Sequence, residues 1–429
     1  MSRACSGQPL HRMARCSRCH RSARRPPAQT VALVRGGGSL NNRSPGFFRA
    51  GARRRLPNDT FIERLLPACL GAAVALLIAG CATPLPDGDP AQPLTVRLPL
   101  HSAHVVDGRT AFSAAFQREL DASPALTLKD AAAYLRISGP VVPASAPAAT
   151  DLRRTSVLIV PGLFGDCVDD QAVPFGDGVV RARDAQYTQA YRIYDDLGLA
   201  GIRALKVPGR ASSAANGEIV ARELLGEAAR TDVDRIVMIG YSKGLPDLLE
   251  GLARLQREGK VPAKLQAVVS MAGVVMGTPL ADKFGGLYDA LSGAMEIAGC
   301  PPSTGGEIQS MMRPERGTWL ADAVLPTSPR YFSVVGHAER DDVALALRGF
   351  FDRLSAYDRR TDGQVLLPDA ILPDSTLLAV AYSDHWNFVL PFARSPRRIV
   401  QAQLASGRDF PREALLRAIV RTVSAPPVR

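Results

Sequence analysis

The chain has 429 residues, of which 46% are hydrophobic and 22% charged, a balance that suits a globular protein with a sizeable core. Its net charge of +11 lies in the leader: the first 80 residues hold 14 arginines and two acidic residues, a net +12, which leaves −1 for the rest. A folded part without excess basic charge excludes a nucleic-acid-binding protein.

Residues 1–80 combine a basic extension with a signal peptide. Arginines at positions 53–55 precede an apolar run, Leu65–Gly80, which has the length of a signal-peptide core and is short for a membrane span. The extension is longer than a signal peptide needs, which indicates that the translation start has been placed too far upstream. Within it, Cys16–His20 matches a haem-attachment pattern, but this motif precedes the signal, so no cofactor is expected.

The apolar run ends in Ile78-Ala79-Gly80-Cys81, which resembles the bacterial lipobox. We therefore predict a lipid on Cys81, with a second acyl chain to make the anchor stable. Ala82 stands where an aspartate would retain a lipoprotein in the inner membrane, so we predict an outer-membrane location. The alternative is a chance cysteine after an apolar helix.

Beyond the anchor, the only cysteines are Cys167 and Cys300. Outside the cytoplasm they are compatible with one disulfide, and the alternative is two buried thiols. Residues 81–153 are interpreted as a tether and a small N-terminal segment. This segment has short helical patterns at Phe112–Leu120 and Leu128–Leu135, but the sequence does not indicate where they pack.

From residue 154 to the end, short apolar runs alternate with helical periods, which predicts one α/β domain with a mostly parallel sheet and helices on both faces. The predicted strands are Ser156–Val160, Ile202–Val207, Arg235–Ile239, Ala267–Met271, Tyr331–Val335 and Leu377–Ala381. The predicted helices are Ala185–Leu197, Gly217–Ala229, Leu245–Leu255, Val343–Leu354 and Arg412–Val423.

A Gly-x-Ser-x-Gly motif, Gly240–Gly244, lies between a predicted strand and a predicted helix. This context is typical of a nucleophile elbow, in which the turn is tight and the backbone packs closely on both sides. Ser242 is therefore the candidate nucleophile. The alternative is a glycine-lined strand end with no catalytic role.

A serine nucleophile needs a base and a carboxylate that orients the base. We predict His385, which follows the last strand, with His337 as the alternative, because His101 and His104 precede the sheet. Asp362 is the candidate carboxylate, since the chain order Ser, Asp, His is the one this elbow uses. Its rivals are Asp358, Asp369, Asp341 and Glu339.

An oxyanion hole should come from backbone N–H groups. Lys243, directly after the nucleophile, is one candidate donor, and Leu163 in the turn after the first strand is the other, with Phe164 as its alternative. Residues 278–325 join two strands by an unusually long connection, and we predict a helical lid over Ser242 there, with a static cap as the alternative. Residues 301–306 are predicted to be its hinge.

These motifs make the region from Thr155 to Phe392 similar to the bacterial triacylglycerol lipases of the α/β-hydrolase fold. The resemblance assigns Ser242, Asp362 and His385 to the triad and implies cleavage of hydrophobic acyl esters. Calcium-binding members carry a carboxylate after the histidine, where this chain has Asn387, so no metal is expected. We therefore predict a lipase- or esterase-like enzyme; the alternatives are an acyltransferase, a polyester depolymerase and a non-catalytic envelope lipoprotein.

Overall fold

A computed structural model describes residues 104–136, 151–165, 170–172, 179–181, 196–292, 301–395 and 397–426, and only the backbone of 170–172, 179–181 and 286–292. Cys81, Cys167 and Cys300 lie outside these ranges. The lipid anchor and the disulfide therefore stay predictions. None of the helices in the described ranges is long and apolar enough to cross a membrane.

The apolar runs of the sequence form a parallel sheet of seven strands in the order β1-β9-β8-β7-β6-β2-β5. A separate antiparallel pair comprises β3 (Asp170–Ala172) and β4 (Val179–Arg181). Five of the six predicted strands are confirmed with one or two extra residues, whereas the strand predicted at Ile202–Val207 begins at Gly201 and ends at Ala204. The sheet strands are β1 (Val106–Asp107), β2 (Thr155–Val160), β5 (Gly201–Ala204), β6 (Arg235–Tyr241), β7 (Leu265–Met271), β8 (Arg330–Gly336) and β9 (Thr376–Ala381).

Helices cover both faces of the sheet. Successive side chains of a strand point to opposite faces, so a continuous apolar run makes both faces apolar. Val157 and Ile159 of β2 pack in one apolar cluster with α1 and α8, whereas Leu158 and Val160 pack in a second cluster with α2 and α3. This arrangement confirms the α/β prediction. The helices in the described ranges are α1 (Arg109–Asp121), α2 (Ser213–Ala228), α3 (Gly244–Arg257), α4 (Pro279–Ser292), α5 (Arg313–Asp322), α6 (Arg348–Leu354), α7 (Arg398–Leu404) and α8 (Arg412–Ser424).

The segment before residue 154 belongs to the same sheet and core as the rest. β1 pairs with β9 at the sheet edge, and Phe112 and Phe116 of α1 are fully buried. Phe116 stacks on Phe410, with ring centroids 6.4 Å apart. The predicted boundary at residue 154 therefore does not separate residues 104–136 from the α/β domain.

Two helix predictions were wrong in extent. Within Leu128–Leu135 only a 3-10 turn forms, at Ala131–Ala133, where the carboxylate of Asp130 accepts the N–H of Ala132. The Val343–Leu354 helix begins only at Arg348, because Ala344 is extended and donates its N–H to Asp384. The predicted helix Ala185–Leu197 lies almost wholly outside the described residues.

Residues 278–325 contain α4 and α5 and are tied to the core by polar contacts. The Thr278 hydroxyl donates to the carbonyl of Gln364 over 2.7 Å, and the Nε–H of Arg316 donates to the carbonyl of Val275 over 3.1 Å. The predicted hinge, 301–306, is itself bonded to the core: the Thr304 N–H donates to the carbonyl of Arg210 over 2.9 Å. This insertion therefore has many anchors beside its two chain ends.

Candidate active site

Ser242 occupies the turn between β6, which is the middle strand of the β7-β6-β2 trio, and helix α3. Its φ angle of +54° lies in the left-handed region, which is strained for a residue with a side chain. Its N–H donates to the carbonyl of Met271 at the end of β7, over 3.1 Å. The strained turn is thus held by the neighbouring strand.

The two glycines of the motif are required by close backbone packing. A Cβ on Gly244 would overlap the carbonyl oxygen of Val160 in β2. A Cβ on Gly240 would lie 2.6 Å from the Cα of Leu245. Both contacts would be shorter than a van der Waals contact. Helix α3 can therefore lie this close to β2 and β6 only because residues 240 and 244 have no side chain.

The structure brings Ser242, His385 and Asp362 into one chain of hydrogen bonds. The Nε2 atom of His385 lies 2.9 Å from the Oγ of Ser242, and its Nδ1 atom lies 2.7 Å from Oδ2 of Asp362. All three side chains are buried, with at most 8% of each residue exposed. Burial strengthens such hydrogen bonds, since water does not compete for them.

Backbone donors and a glycine hold the Asp362 carboxylate toward the imidazole. Its Oδ1 atom accepts the N–H groups of Gln364 and Val365 over 2.9 and 2.8 Å, which leaves Oδ2 for His385. Gly363 has a φ of +92°, a conformation that suits glycine. The turn after Asp362 therefore aims its side chain at His385.

The alternative residues lie elsewhere. His337 is surrounded by the charges of Arg136 and Glu339, and burial lowers its pKa. Asp358 pairs with Arg360 at 2.5 Å, and burial raises the pKa of Asp369 to about 6. Asp341 is largely exposed and Glu339 pairs with Arg136, while His104 is exposed and His101 lies outside the described residues.

Two residues that the sequence did not single out support the histidine. The hydroxyl of Tyr241 donates to the carbonyl of His385 over 3.0 Å, and the two rings lie 5.4 Å apart. The buried carboxylate of Asp384 accepts the N–H groups of Ala344, Trp386 and Asn387. Burial raises the pKa of Asp384 to about 6, although the N–H donors oppose this shift.

The turn after β2 lies directly against the serine. A Cβ on Gly162 would be 2.9 Å from the Cβ and 3.4 Å from the Oγ of Ser242. Within the described ranges, the N–H groups of Leu163 and Lys243 have no hydrogen-bond acceptor. Phe164, the alternative donor, has a φ of +61° and is 37% exposed. Free N–H groups beside a nucleophile are what an oxyanion hole needs.

The insertion shares an apolar cluster with the turn after β2. Ile308, Met311 and Met312 share an apolar cluster with Leu163 and with core residues of β8 and β9. A cavity of about 460 Å³ also lies under this segment, lined by α3, α5 and the first residues of α2. Ser242, Asp362 and His385 do not line that cavity, so the cluster shared with Leu163 is what relates the insertion to the candidate site.

Within the described ranges, no cluster of three or more His, Cys, Asp or Glu side chains is arranged to hold a metal ion. Asn387, at the position that is a carboxylate in calcium-binding lipases, donates its side-chain amide to the carbonyl of Arg408 over 2.7 Å. This side chain thus has a structural partner beside the catalytic candidates.

No protein-family model and no curated protein sequence matches the chain. Among solved structures, a metagenomic carboxyl esterase, MGS0156, is 28% identical with a TM-score of 0.62, covering 82% of this chain and 98% of the esterase. The mature lipase BlEst2 of Bacillus licheniformis is 17% identical, with a TM-score of 0.40 and coverage of 56% and 89%. The RedJ thioesterase of Streptomyces coelicolor is 11% identical, with a TM-score of 0.29 and coverage of 67% and 96%. The topology and the esterase likeness together confirm the α/β-hydrolase fold.

Proposed function

We propose that the chain is a serine hydrolase that cleaves carboxylic esters through an acyl-enzyme on Ser242. The observation that carries this proposal is the hydrogen-bonded chain from Ser242 through His385 to Asp362. The similarity to a carboxyl esterase along almost its whole length supports ester hydrolysis as the reaction. Within this proposal, Ser242 is the nucleophile, His385 the general base and Asp362 the carboxylate that orients the base.

In the acylation step, the Oγ of Ser242 attacks the ester carbonyl carbon while Nε2 of His385 takes its proton. The carbonyl electron pair moves to oxygen, where the N–H groups of Leu163 and Lys243 stabilise the charge. Asp362 stabilises the imidazolium that forms. Collapse of this intermediate breaks the bond to the alkoxy group, which leaves as an alcohol with the proton from His385.

Deacylation repeats the chemistry with water. Water attacks the acyl carbon and gives a proton to Nε2 of His385, and the N–H groups of Leu163 and Lys243 again stabilise the oxyanion. The bond between the acyl carbon and Oγ then breaks, Ser242 takes the proton back, and the carboxylic acid is released. Every proton that moves passes through one imidazole nitrogen.

A hydrophobic acyl group is the substrate class that fits the surroundings of the site. The insertion places Met311 and Met312 in the cluster with Leu163, and methionine side chains adapt easily to apolar partners. We infer that this segment forms one wall of the acyl-binding cleft. Because it donates hydrogen bonds to the carbonyls of Arg210 and Gln364, we infer that it acts as a cap fixed to the core.

The test is turnover of p-nitrophenyl esters, from acetate to palmitate, by the purified full-length chain in detergent. We expect measurable hydrolysis and a preference for acyl chains longer than acetate, because the wall is apolar. Adding an alcohol acceptor separates hydrolysis from acyl transfer, since only transfer yields a new ester in place of the acid. No turnover of any ester by correctly folded protein would contradict the proposed function.

We further propose that the enzyme is held on a bacterial membrane by a lipid on Cys81 and that it resides at the outer membrane. This proposal rests on the basic region, apolar run and lipobox-like motif that end at Cys81. Metabolic labelling with palmitate should be lost in Cys81→Ser but kept in Cys69→Ser, a matched change within the signal peptide. Label that persists in Cys81→Ser would refute the anchor.

A further inference from the structure

A buried ion pair lies directly behind the nucleophile. The ammonium of Lys243 is 2.8 Å from Oδ1 and 3.1 Å from Oδ2 of Asp247, and the two side chains are only 1% and 2% exposed. Lys243 is the N-cap of α3 and Asp247 lies in the first turn, so the pair spans that turn. It therefore couples the residue after Ser242 to the body of the helix.

A second helix holds the carboxylate of this pair. The Nδ2 atom of Asn216 in α2 donates to Oδ2 of Asp247 over 2.7 Å and to the carbonyl of Pro208 over 2.9 Å. Helices α2 and α3 pack closely here because Gly217 has no side chain; a Cβ on Gly217 would lie 2.6 Å from the Cβ of Glu250. Lys243 is thus connected through Asp247 to a rigid part of the scaffold.

Helix stability does not account for a lysine at this place. A cation near a helix N-terminus opposes the helix dipole, although Asp247 in the same turn favours it. A buried ion pair also contributes little net stability, because desolvation offsets the attraction between its charges. Lys243 directly follows the nucleophile, and its own N–H has no acceptor in the described ranges, so its position indicates a role in the reaction.

We propose that the Lys243–Asp247 pair, with Asn216, positions the backbone N–H of Lys243 as an oxyanion donor; this inference rests on the proposed function. The side chain restrains the peptide between Ser242 and Lys243 through its own Cα, and the backbone of Lys243 is helical at φ −56° and ψ −27°. Lys243 and Asp247 are positioning residues, since their side chains act through the main chain.

Two backbone hydrogen bonds hold the carbonyl of that peptide, since the Ser242 oxygen accepts the N–H groups of Leu245 and Val274 over 3.1 and 3.2 Å, but neither holds the Cα of Lys243. The N–H of Asp247 reaches the carbonyl of Lys243 only over 3.3 Å, a long hydrogen bond for the first turn of a helix. The side-chain pair spans the same two residues with shorter distances, so it is the stronger of the two connections. Losing it should move the N–H donor while leaving the strand and helix in place.

The experiment replaces both partners at once, Lys243→Met with Asp247→Asn, because a single replacement would leave a buried charge unpaired. The Asp247→Asn change keeps an oxygen that can accept the Asn216 amide, so we expect the variant to fold. The matched control is Arg254→Met with Glu258→Gln, which removes a more exposed pair of the same spacing at the C-terminal end of α3, together with the Arg254–Glu218 ion pair. The midpoint of thermal unfolding is measured for all three proteins.

We expect kcat of the double variant to fall by about 10- to 100-fold while KM stays close to the wild-type value, because a displaced oxyanion donor weakens only transition-state binding. Affinity for a trifluoromethyl ketone, whose adduct with Ser242 bears an oxyanion, should fall by the same factor. The control variant should match the wild type in both measurements.

Two results would overturn the inference. One is a double variant with kcat and ketone affinity equal to those of the control. The other is a loss of kcat that follows a lowered unfolding midpoint and disappears at lower temperature, which would show a purely structural role. Absence of ester turnover in the wild type would instead refute the proposed function, so the two failures are distinguishable.

Discussion

Replacing Ser242 by alanine is expected to lower kcat for ester hydrolysis by roughly 10⁴- to 10⁶-fold, because no acyl-enzyme can form without the hydroxyl. The fold should be retained, since the change removes one oxygen whose hydrogen-bond partner is the His385 imidazole. Steady-state kinetics on the best p-nitrophenyl ester measures the effect, and circular dichroism checks the fold.

The matched control for this change is Ser383→Ala. Ser383 is also buried, two residues before His385, but its hydroxyl has no hydrogen-bond partner among the described residues. Removing that hydroxyl should leave kcat near the wild-type value. A Ser242→Ala protein that hydrolyses the ester at the wild-type rate would contradict the assignment of the nucleophile.

Replacing Asp362 by asparagine should lower kcat by about 10⁴-fold, since an amide neither stabilises the imidazolium nor holds the required tautomer. Asp384 provides the comparison, because it is equally buried and adjacent to His385 in sequence. Its carboxylate contacts three backbone N–H groups and not the imidazole. Asp384→Asn should therefore cost far less activity than Asp362→Asn when both are measured on one ester.

The order of these two effects is the informative result. Nearly full activity in Asp362→Asn, together with a large loss in Asp384→Asn, would mean that the orienting carboxylate is misassigned. Unfolding midpoints of both variants should accompany the kinetics, because Asp384 fixes the loop that carries the histidine. A loss of activity caused by unfolding is then separated from a loss of catalysis.

The parallel sheet and the serine turn could be predicted from sequence because their causes are local. Strand β6 is a continuous apolar run, and the two glycines beside Ser242 stand within four residues of each other. His385 and Asp362 could be chosen because few histidines remain in the folded part and because chain order limits the choice. In each case short-range patterns specify the element, and the sheet then brings the strand ends together.

Other features depend on contacts that sequence patterns do not encode. Asp384 lies beside a predicted site residue, but its role comes from the Ala344 N–H, forty residues earlier. The same contact shortened the predicted helix at Val343–Leu354. β1 joins the sheet through β9, far along the chain, so a short two-residue strand gave no usable signal.

The Lys243–Asp247 pair falls between these cases. Its spacing of four residues on a predicted helix is visible in the sequence, and such spacing normally indicates an exposed pair. Burial of the pair follows only from the packing of α2 against α3, which places Asn216 beside Asp247. The sequence therefore contained the pair but not the environment that makes it informative.

The most direct test of the central claim is covalent labelling with a fluorophosphonate, which reacts with an activated serine, followed by mapping of the modified peptide by mass spectrometry. We predict that the wild type is modified at Ser242, that Ser242→Ala is not modified, and that Asp362→Asn reacts much more slowly. Folded wild-type protein that resists the reagent, or that carries the label on another residue, would contradict the account.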